Sequence, residues 1–448
     1  MNLSRLLHAR AEEGQPVHVG LIGAGKFGSM FLAQVRRTPG LHLVGVADLA
    51  PEKAGAALVR SGWEAERVGA RSFGEAYRRG TTYVTDDSLA LISAGEFDVI
   101  VEATGVPEAG IRHAQECIRA GKHVVMVNVE ADALAGPLLA RRAREAGLVY
   151  SLAYGDQPAL ICELVDWARA CGFEVVCAGK GTKYLPSYHQ STPDTVWDHF
   201  GFTAEEVAAG DFNPQMFNSF VDGTKSAIEM AAVANATGLL PPSDGLAFPP
   251  VGADDLSTVL RPRAEGGVLE RAGTVEVVSS LERDGRAVPR DLRWGVYVVF
   301  RADTSYVADC FRQYGLVADP SGRYAALYRP YHLIGLEVGI SVASAALRNE
   351  PTGSPDAFLA DVVAIAKRDM APGETLDGEG GYRVYGKLLP AQDSLAAHAL
   401  PIGLAKGVHL TRPVAAGATL SWADVEPMEA RDAVRVRREM EALFRPFA

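Results

Sequence analysis

The sequence predicts an α/β protein in three parts: a doubly wound parallel sheet over residues 1–150, an α+β region over 151–350, and a small β-rich module over 351–448. Three observations carry this. Short apolar runs alternate with helix-like segments from residue 17 to 152, the pattern of parallel strands joined by helical crossovers. A glycine-rich turn joins the first two runs, and the second run ends in an acid. Near residue 350 the segment Glu350-Pro351-Thr352-Gly353-Ser354-Pro355 has linker composition, and short strands with proline and glycine turns follow it.

Residues 1–15 place Leu3, Leu6 and Leu7 on one helical face. The apolar run 17–22 leads into Gly23-Ala24-Gly25-Lys26-Phe27-Gly28, a helix-like segment to residue 37, a second run over 41–47, and Asp48. In such a turn Gly23 lets the chain leave the strand sharply, Gly25 lets the backbone approach a pyrophosphate, and Gly28 lets helix and strand pack closely. The anion rests on amides at the positive end of the helix. Asp48, at the tip of the second strand, is placed to accept hydrogen bonds from an adenine-ribose diol. Strand, turn, helix, strand and acid together make a Rossmann dinucleotide-binding unit, with Gly23, Gly25, Lys26, Phe27, Gly28 and Asp48 as cofactor-binding candidates.

The alternation then continues: a helix over 51–58, a short strand over 82–85, a helix over 87–94, and a buried strand over 97–103 ended by Thr104-Gly105. A helix over 107–120, a strand over 123–127 ending at Asn128, a helix over 137–145 and a strand over 149–152 follow. Ligands of such sheets bind outside the carboxyl ends of the strands. Thr104, Gly105, Asn128 and Glu130 therefore join the glycine loop at the rim where a nicotinamide ring lies, Thr104, Gly105 and Asn128 as cofactor candidates and Glu130 with Asn128 expected to orient a substrate against the nicotinamide.

Composition bounds the function. Lys plus Arg number 44 against 55 Asp plus Glu, a net charge of -11, which argues against broad binding to a nucleic-acid backbone. The five cysteines show no metal-ligand spacing and read as reduced thiols. No apolar run reaches membrane-spanning length and the first residues lack a secretory core, so a cytoplasmic protein with no membrane partner is expected.

The second region changes texture. A strand over 173–178 leads into Gly179-Lys180-Gly181-Thr182-Lys183-Tyr184-Leu185-Pro186, read as a loop whose Lys180 and Lys183 hold a phosphate or carboxylate. Asp222-Gly223-Thr224-Lys225 opens an alanine-rich helix on which Lys225 and Glu229, four apart, share a face. Its Ile, Met, Ala and Val content predicts burial, and a buried charged pair points to a site. Strands over 274–281 and 295–301, with a turn at Asp284-Gly285, suggest a mostly antiparallel sheet. A large sheet face needs a cover, so a homodimer is expected. Tyr328-Arg329-Pro330-Tyr331-His332-Leu333 is read as opening an apolar helix to residue 347, with His332 near the cofactor or substrate. Two similar phrases at 371–376 and 415–420 mark the β-rich module, and a charged helix over 431–443 closes the chain.

The first domain and the layout after it resemble the homoserine dehydrogenase superfamily. The last hundred residues look like a SAF domain, a β-clip module, through the phrases 371–376 and 415–420. Combined with Gly23 to Gly28, Asn128-Val129-Glu130-Ala131-Asp132, the 179–186 segment and residues 328–337, the chain is similar over essentially its whole length to the deoxyxylulose-phosphate reductoisomerase-like (DRL) oxidoreductases. The resemblance implies an NADPH-dependent reductoisomerase converting a phosphorylated sugar, deoxyxylulose phosphate to methylerythritol phosphate in the best-known members, in isoprenoid synthesis. Homoserine dehydrogenases carry an aspartate and a lysine four apart on the catalytic helix, where Lys225 and Glu229 stand with the charges exchanged. The lysine those enzymes carry after Ala-Asn is also missing at Asn128-Val129-Glu130, which counts against aspartate semialdehyde as substrate.

Rearrangement followed by hydride delivery calls for carboxylates and a cation. The expected roles are Glu229 and Asp222 as base or as ligands of Mn2+ or Mg2+, Lys225 as carbonyl polariser, and Lys180 and Lys183 as anchors of the substrate anion. Asp48 favours NADH, whereas the resemblance favours NADPH, with Lys53 or Arg60 supplying charge for the 2'-phosphate. Two other readings accompany this one: a dehydrogenase of a sugar acid, hydroxy acid or semialdehyde without rearrangement, and a non-catalytic nucleotide-binding sensor.

Overall fold

Strands buried on both faces read as continuous apolar runs, and the first half of the chain builds its sheet from such runs. In the computed structural model, which describes residues 2–209 and 212–444, they are β1 (Val17–Ile22), β2 (Leu41–Ala47), β3 (Tyr83–Thr85), β4 (Val99–Glu102), β5 (His123–Met126) and β6 (Tyr150–Leu152). All pair in parallel, in the order β3-β2-β1-β4-β5-β6. The strand order reverses between β1 and β4, and the crevice at that reversal is where a doubly wound sheet takes its ligand. Val19, Leu21, Phe31, Leu32, Leu43, Val46, Val101 and Val125 form the core beneath it.

The chain divides into two compact units that interleave in sequence, 1–160 with 332–356 and 161–331 with 357–448. This division differs from three consecutive segments. Residues 332–356 return to the first unit, where Val338, just before helix Gly339–Arg348, and Val342 within it are buried in the same core. Ser341 Oγ accepts from the Tyr154 amide at 2.8 Å, and the Leu152 amide donates to the Gly353 carbonyl at 2.8 Å. The segment named as a linker is thus stitched to the edge strand of the first sheet.

Two helix boundaries differ from the sequence reading. Helix Val129–Glu145 starts eight residues earlier than expected and carries Pro137 inside it, although proline is commonest in a helix's first turn. The apolar residues around 328 belong to a strand, since Tyr324, Ala326 and Tyr328 alternate onto one core.

The second unit is built on β7 (Glu174–Thr182), β8 (Thr274–Ser279), β9 (Val296–Arg301) and β10 (Tyr324–Arg329), in the order β10-β9-β7-β8. β7 pairs in parallel with β8 and antiparallel with β9, and β9 pairs antiparallel with β10. β8 and β9 therefore do not form a hairpin; β7 lies between them. One sheet face packs Tyr297, Val299 and Tyr324 against Leu256, Leu260 and Leu269. Phe300 packs on Trp167, Phe173 and Phe311, and helix Thr224–Thr237 lies against β8. Side chains of the same unit thus pack on both faces of this sheet, while Leu327 on β10 stays exposed.

The β-rich tail pairs β11 (Ala360–Ala366) with β13 (Val384–Pro390) and β12 (Thr375–Asp377) with β14 (Lys406–His409), both antiparallel. It is built onto helix Thr224–Thr237: Asn235 Oδ1 accepts from the Leu359 and Ala360 amides at 2.8 and 3.0 Å, and Thr224 Oγ1 accepts from the Gly386 amide at 2.8 Å. The closing helix Asp432–Phe444 is pinned by fully buried Arg437, which donates to both oxygens of Asp361 at 2.9 and 2.5 Å and to Glu441 at 2.9 Å. No described helix is long and apolar enough to cross a membrane.

Candidate functional site

In the first unit the three glycines do different work. Gly23 holds φ +95°, and a Cβ there would lie 2.6 Å from the Ala103 carbonyl oxygen; a Cβ on Gly28 would overlap the Gly23 carbonyl. Both are demanded by close approach of backbone to backbone. Gly25 is different: a Cβ there meets nothing within 4 Å, and no side chain caps helix Lys26–Val35, which begins after it. A glycine facing open space at an uncapped helix start is a cradle fitted to a pyrophosphate.

Asp48 is half-buried and oriented by the backbone, its Oδ2 accepting from the Ala24 amide at 2.8 Å and its Oδ1 from the Ala50 amide at 2.9 Å. It holds the glycine turn to the tip of β2. Lys26 is exposed, and Phe27 packs part-buried against the core. A Cβ on Gly335 would lie 2.7 Å from Met30 Cβ and 2.9 Å from the Phe27 carbonyl, so the segment that begins at half-buried His332 rests on the cradle helix.

Thr104, Gly105 and Asn128 come together at the ends of β4 and β5. Asn128 is 1% exposed and works as a helix cap: its Oδ1 accepts from the Ala131 amide at 3.1 Å, while its Nδ2 donates to the Val106 carbonyl at 2.9 Å and Thr104 Oγ1 at 3.3 Å. Glu130 is half-buried in the first turn of the helix that Asn128 caps. Behind Thr104 lie three residues the sequence reading passed over, Glu102, His113 and Ser88. The signal was an acid closing an otherwise apolar strand.

In the second unit the structure redistributes the charged residues. Lys180 does not sit in a loop: β7 runs through it to Thr182, and Gly179 and Gly181 are glycines because a Cβ would overlap the Glu276 and Leu292 carbonyl oxygens. Its ammonium donates to Glu229 Oε2, with both side chains buried. Glu229 is thus paired with Lys180, not across its own helix with Lys225, which is half-buried in the first turn. Lys183 donates to the His199 carbonyl, and burial together with nearby Arg293 lowers its pKa. The two lysines expected to share one anion are therefore committed separately.

Asp222 is 0% exposed, with Oδ2 2.7 Å from Lys367 Nζ and Oδ1 accepting from the Thr224 amide at 3.0 Å. Lys367 also donates to the Ser191 and Gly381 carbonyls at 2.7 and 2.8 Å. With all three ammonium protons placed, Asp222 starts the helix and anchors the tail. Among the described residues no group of three or more His, Cys, Asp or Glu lies where it could hold a metal ion. The donor set for Mn2+ or Mg2+ is not assembled there.

Close to that helix start, His189 Nδ1 lies 2.7 Å from the Asp222 carbonyl and Nε2 lies 2.8 Å from Tyr184 Oη. A carbonyl only accepts, so Nδ1 carries the proton and a neutral ring receives the tyrosine hydroxyl at Nε2. Burial lowers the His189 pKa and raises that of Tyr184 to about 12. Tyr184 stacks on Phe248, which holds φ +50°, and the buried carboxyl of Glu276 accepts the Phe248 and Ala247 amides. Burial pushes Glu276 up to about 7. The unit thus offers a buried ammonium–carboxylate pair and a tyrosine–histidine pair, both able to hold or pass a proton.

Comparison with known proteins agrees with this division of labour. Residues 23–151 match the family model described as homoserine dehydrogenase, NAD binding domain, and residues 155–338 match the model described as oxidoreductase DRL, catalytic domain. No curated protein matches. Among solved structures, a levoglucosan dehydrogenase in complex with NADH is 15% identical, covering 70% of this chain and 66% of its own, at a TM-score of 0.34. A biliverdin reductase from Synechocystis, in complex with biliverdin and NADP+, is 21% identical over 42% of this chain and 53% of its own, at 0.27. A probable dehydrogenase from Thermotoga maritima is 12% identical over 75% and 90%, at 0.37. The chain spans about half to two thirds of the length of the first two of these structures.

Proposed function

We propose that this chain, an NAD(P)-dependent oxidoreductase, delivers hydride to the carbonyl of a phosphorylated sugar in a reaction of the reductoisomerase type. The observation that carries the reading is the buried Lys180–Glu229 pair, which lies inside the segment matching the DRL catalytic domain. A charged pair kept out of water at the cost of desolvation suits proton transfer better than stability. Bound on the cradle of the first unit, the cofactor supplies the hydride. Lys225 polarises the substrate carbonyl, Glu229 takes and returns the hydroxyl proton with Lys180 holding its charge, and Glu130 orients the substrate. Lys183 draws on the substrate's anionic group. Asp222 keeps the helix start in place.

Asp48 makes NADH the preferred cofactor: an oriented carboxylate at the adenosine-ribose end repels a 2'-phosphate, and Leu49 beside it, 96% exposed, supplies no cation. The β-rich tail is of the SAF type in this reading. A second reading, a dehydrogenase without rearrangement, is favoured by the pairing of Glu229 and Asp222 to lysines, which leaves neither carboxylate turned to a metal ion. The catalytic-domain match speaks against a sensor without activity.

The test is oxidation of NADH and NADPH with deoxyxylulose phosphate, with and without Mn2+ or Mg2+, following the product by mass. Methylerythritol phosphate supports the reductoisomerase. Its absence, with NAD+ reduction by sugar acids, moves the assignment to the simple dehydrogenase.

A further inference from the structure

We propose that Glu102 and His113 are positioning residues for the nicotinamide half of the cofactor, acting through the hydroxyl of Thr104; the proposal rests on the cofactor reading above. The topology says which half is concerned. Asp48 ends β2 on one side of the glycine strand β1, and Glu102 ends β4 on the other. A dinucleotide with its adenosine at Asp48 and its pyrophosphate at Gly25 extends its nicotinamide half over the end of β4.

That end is held by a single carboxylate oxygen. Glu102, 0% exposed, accepts at Oε1 from Thr104 Oγ1 at 2.5 Å, from His113 Nδ1 at 3.1 Å and from the Thr104 amide at 3.4 Å. His113, on helix Pro107–Arg119 and 7% exposed, has Nε2 3.0 Å from Ser88 Oγ. Facing a carboxylate, Nδ1 is the donor, so the chain runs from helix Ser88–Ser93 through His113 to the strand end. Thr104 Oγ1, having given its proton to Glu102, turns its lone pairs to the Val106 amide at 3.4 Å and Asn128 Nδ2 at 3.3 Å. The hydroxyl has no rotation left, and the turn 104–106 is tied at both ends.

The tied turn is part of the cradle floor. A Cβ on Gly23 would lie 2.6 Å from the Ala103 carbonyl oxygen and 3.1 Å from the Thr104 amide, and the space over Gly105, at φ +66°, is open. β4 is otherwise Val99, Ile100 and Val101, so an apolar residue would complete the strand. A carboxylate stands there instead, with its Oε2 lacking a hydrogen-bond partner among the described residues. Burying a carboxylate with one oxygen unsatisfied costs stability. The return is orientation: one oxygen sets the direction of the Thr104 hydroxyl and of the turn that carries it.

The experiment uses the full chain and compares NADH with ADP-ribose, which lacks the nicotinamide. Binding of NADH is read by its fluorescence and that of ADP-ribose by calorimetry. Thr104→Val and His113→Leu are expected to weaken NADH about tenfold, the loss of one hydrogen bond to a charged group, while ADP-ribose stays within about twofold. His113→Asn, which can place an amide donor near the Nδ1 position, is expected to recover most of the NADH affinity. Equal loss of both ligands would show that the residues only maintain the fold, and unchanged NADH affinity would show that they position nothing; either overturns the proposal. Wild-type protein that binds neither ligand would overturn the cofactor reading itself, a result distinct from both.

Discussion

Lys180 on β7 and Glu229 on helix Thr224–Thr237 form an ion pair with side chains only 8% and 5% exposed, although 49 positions separate them in sequence. The partner that local spacing offered to Glu229, Lys225 one turn away, is not the one the fold provides. Removing one member of such a pair leaves a charge buried alone and costs about 3–5 kcal/mol, whereas replacing both with apolar residues is often neutral. Lys180→Met is therefore expected to lower Tm markedly, and Lys180→Met with Glu229→Met to recover most of it. Turnover should stay absent in both. A double variant that is stable and fully active would remove the pair from the chemistry.

The glycine loop separates folding from binding. Gly28→Ala drives a methyl into the Gly23 carbonyl, so loss of thermal stability is expected. Gly25→Ala meets open space and should melt like the wild type, while NADH binding falls about tenfold or more because the methyl enters the cradle. Melting curves and NADH fluorescence on the two variants check both halves.

Asp48→Asn keeps an acceptor for one of the two loop amides but removes the charge. The wild type is expected to bind NADH more tightly than NADPH, and the variant to narrow that difference by about tenfold, the size of one modest electrostatic repulsion. Wild-type preference for NADPH would refute the role given to this carboxylate.

Asp132 is fully buried in helix Val129–Glu145, where it accepts the Tyr150 hydroxyl at 2.9 Å, and burial raises its pKa to about 7. A carboxyl with its folded pKa above its unfolded value of 3.8 keeps its proton longer in the native state. Its contribution is fully present below pH 3.8 and is lost as pH rises through 7. Asp132→Asn, which cannot ionise, should match the wild type only below pH 3.8, pull ahead of it as pH rises from there towards 7, and exceed its Tm by roughly 3 °C or more at pH 8. Glu276, also raised to about 7, changes with pH in the same sense in both proteins, so the difference between them isolates Asp132.

What could be read from sequence was governed by neighbours in the chain. The glycine turn and Asp48 were legible because φ sign, close approach and strand-end placement are decided within about thirty residues. The parallel sheet was legible because buried strands and their crossovers leave regular apolar runs. Lys180 was not. Glycines on either side of it suggest a loop, yet they are there because neighbouring carbonyls of Glu276 and Leu292 pass too close for a side chain. Nor could the chain order disclose that Lys367 holds Asp222, that Glu102 and His113 stand behind Thr104, or that residues 332–356 return to the first unit. By itself, then, the sequence determined the nucleotide-binding unit and the types of residue available for catalysis. Tertiary structure decided which charges meet, because burial forces each ionised side chain to find a partner and the nearest one in space is seldom the nearest in sequence.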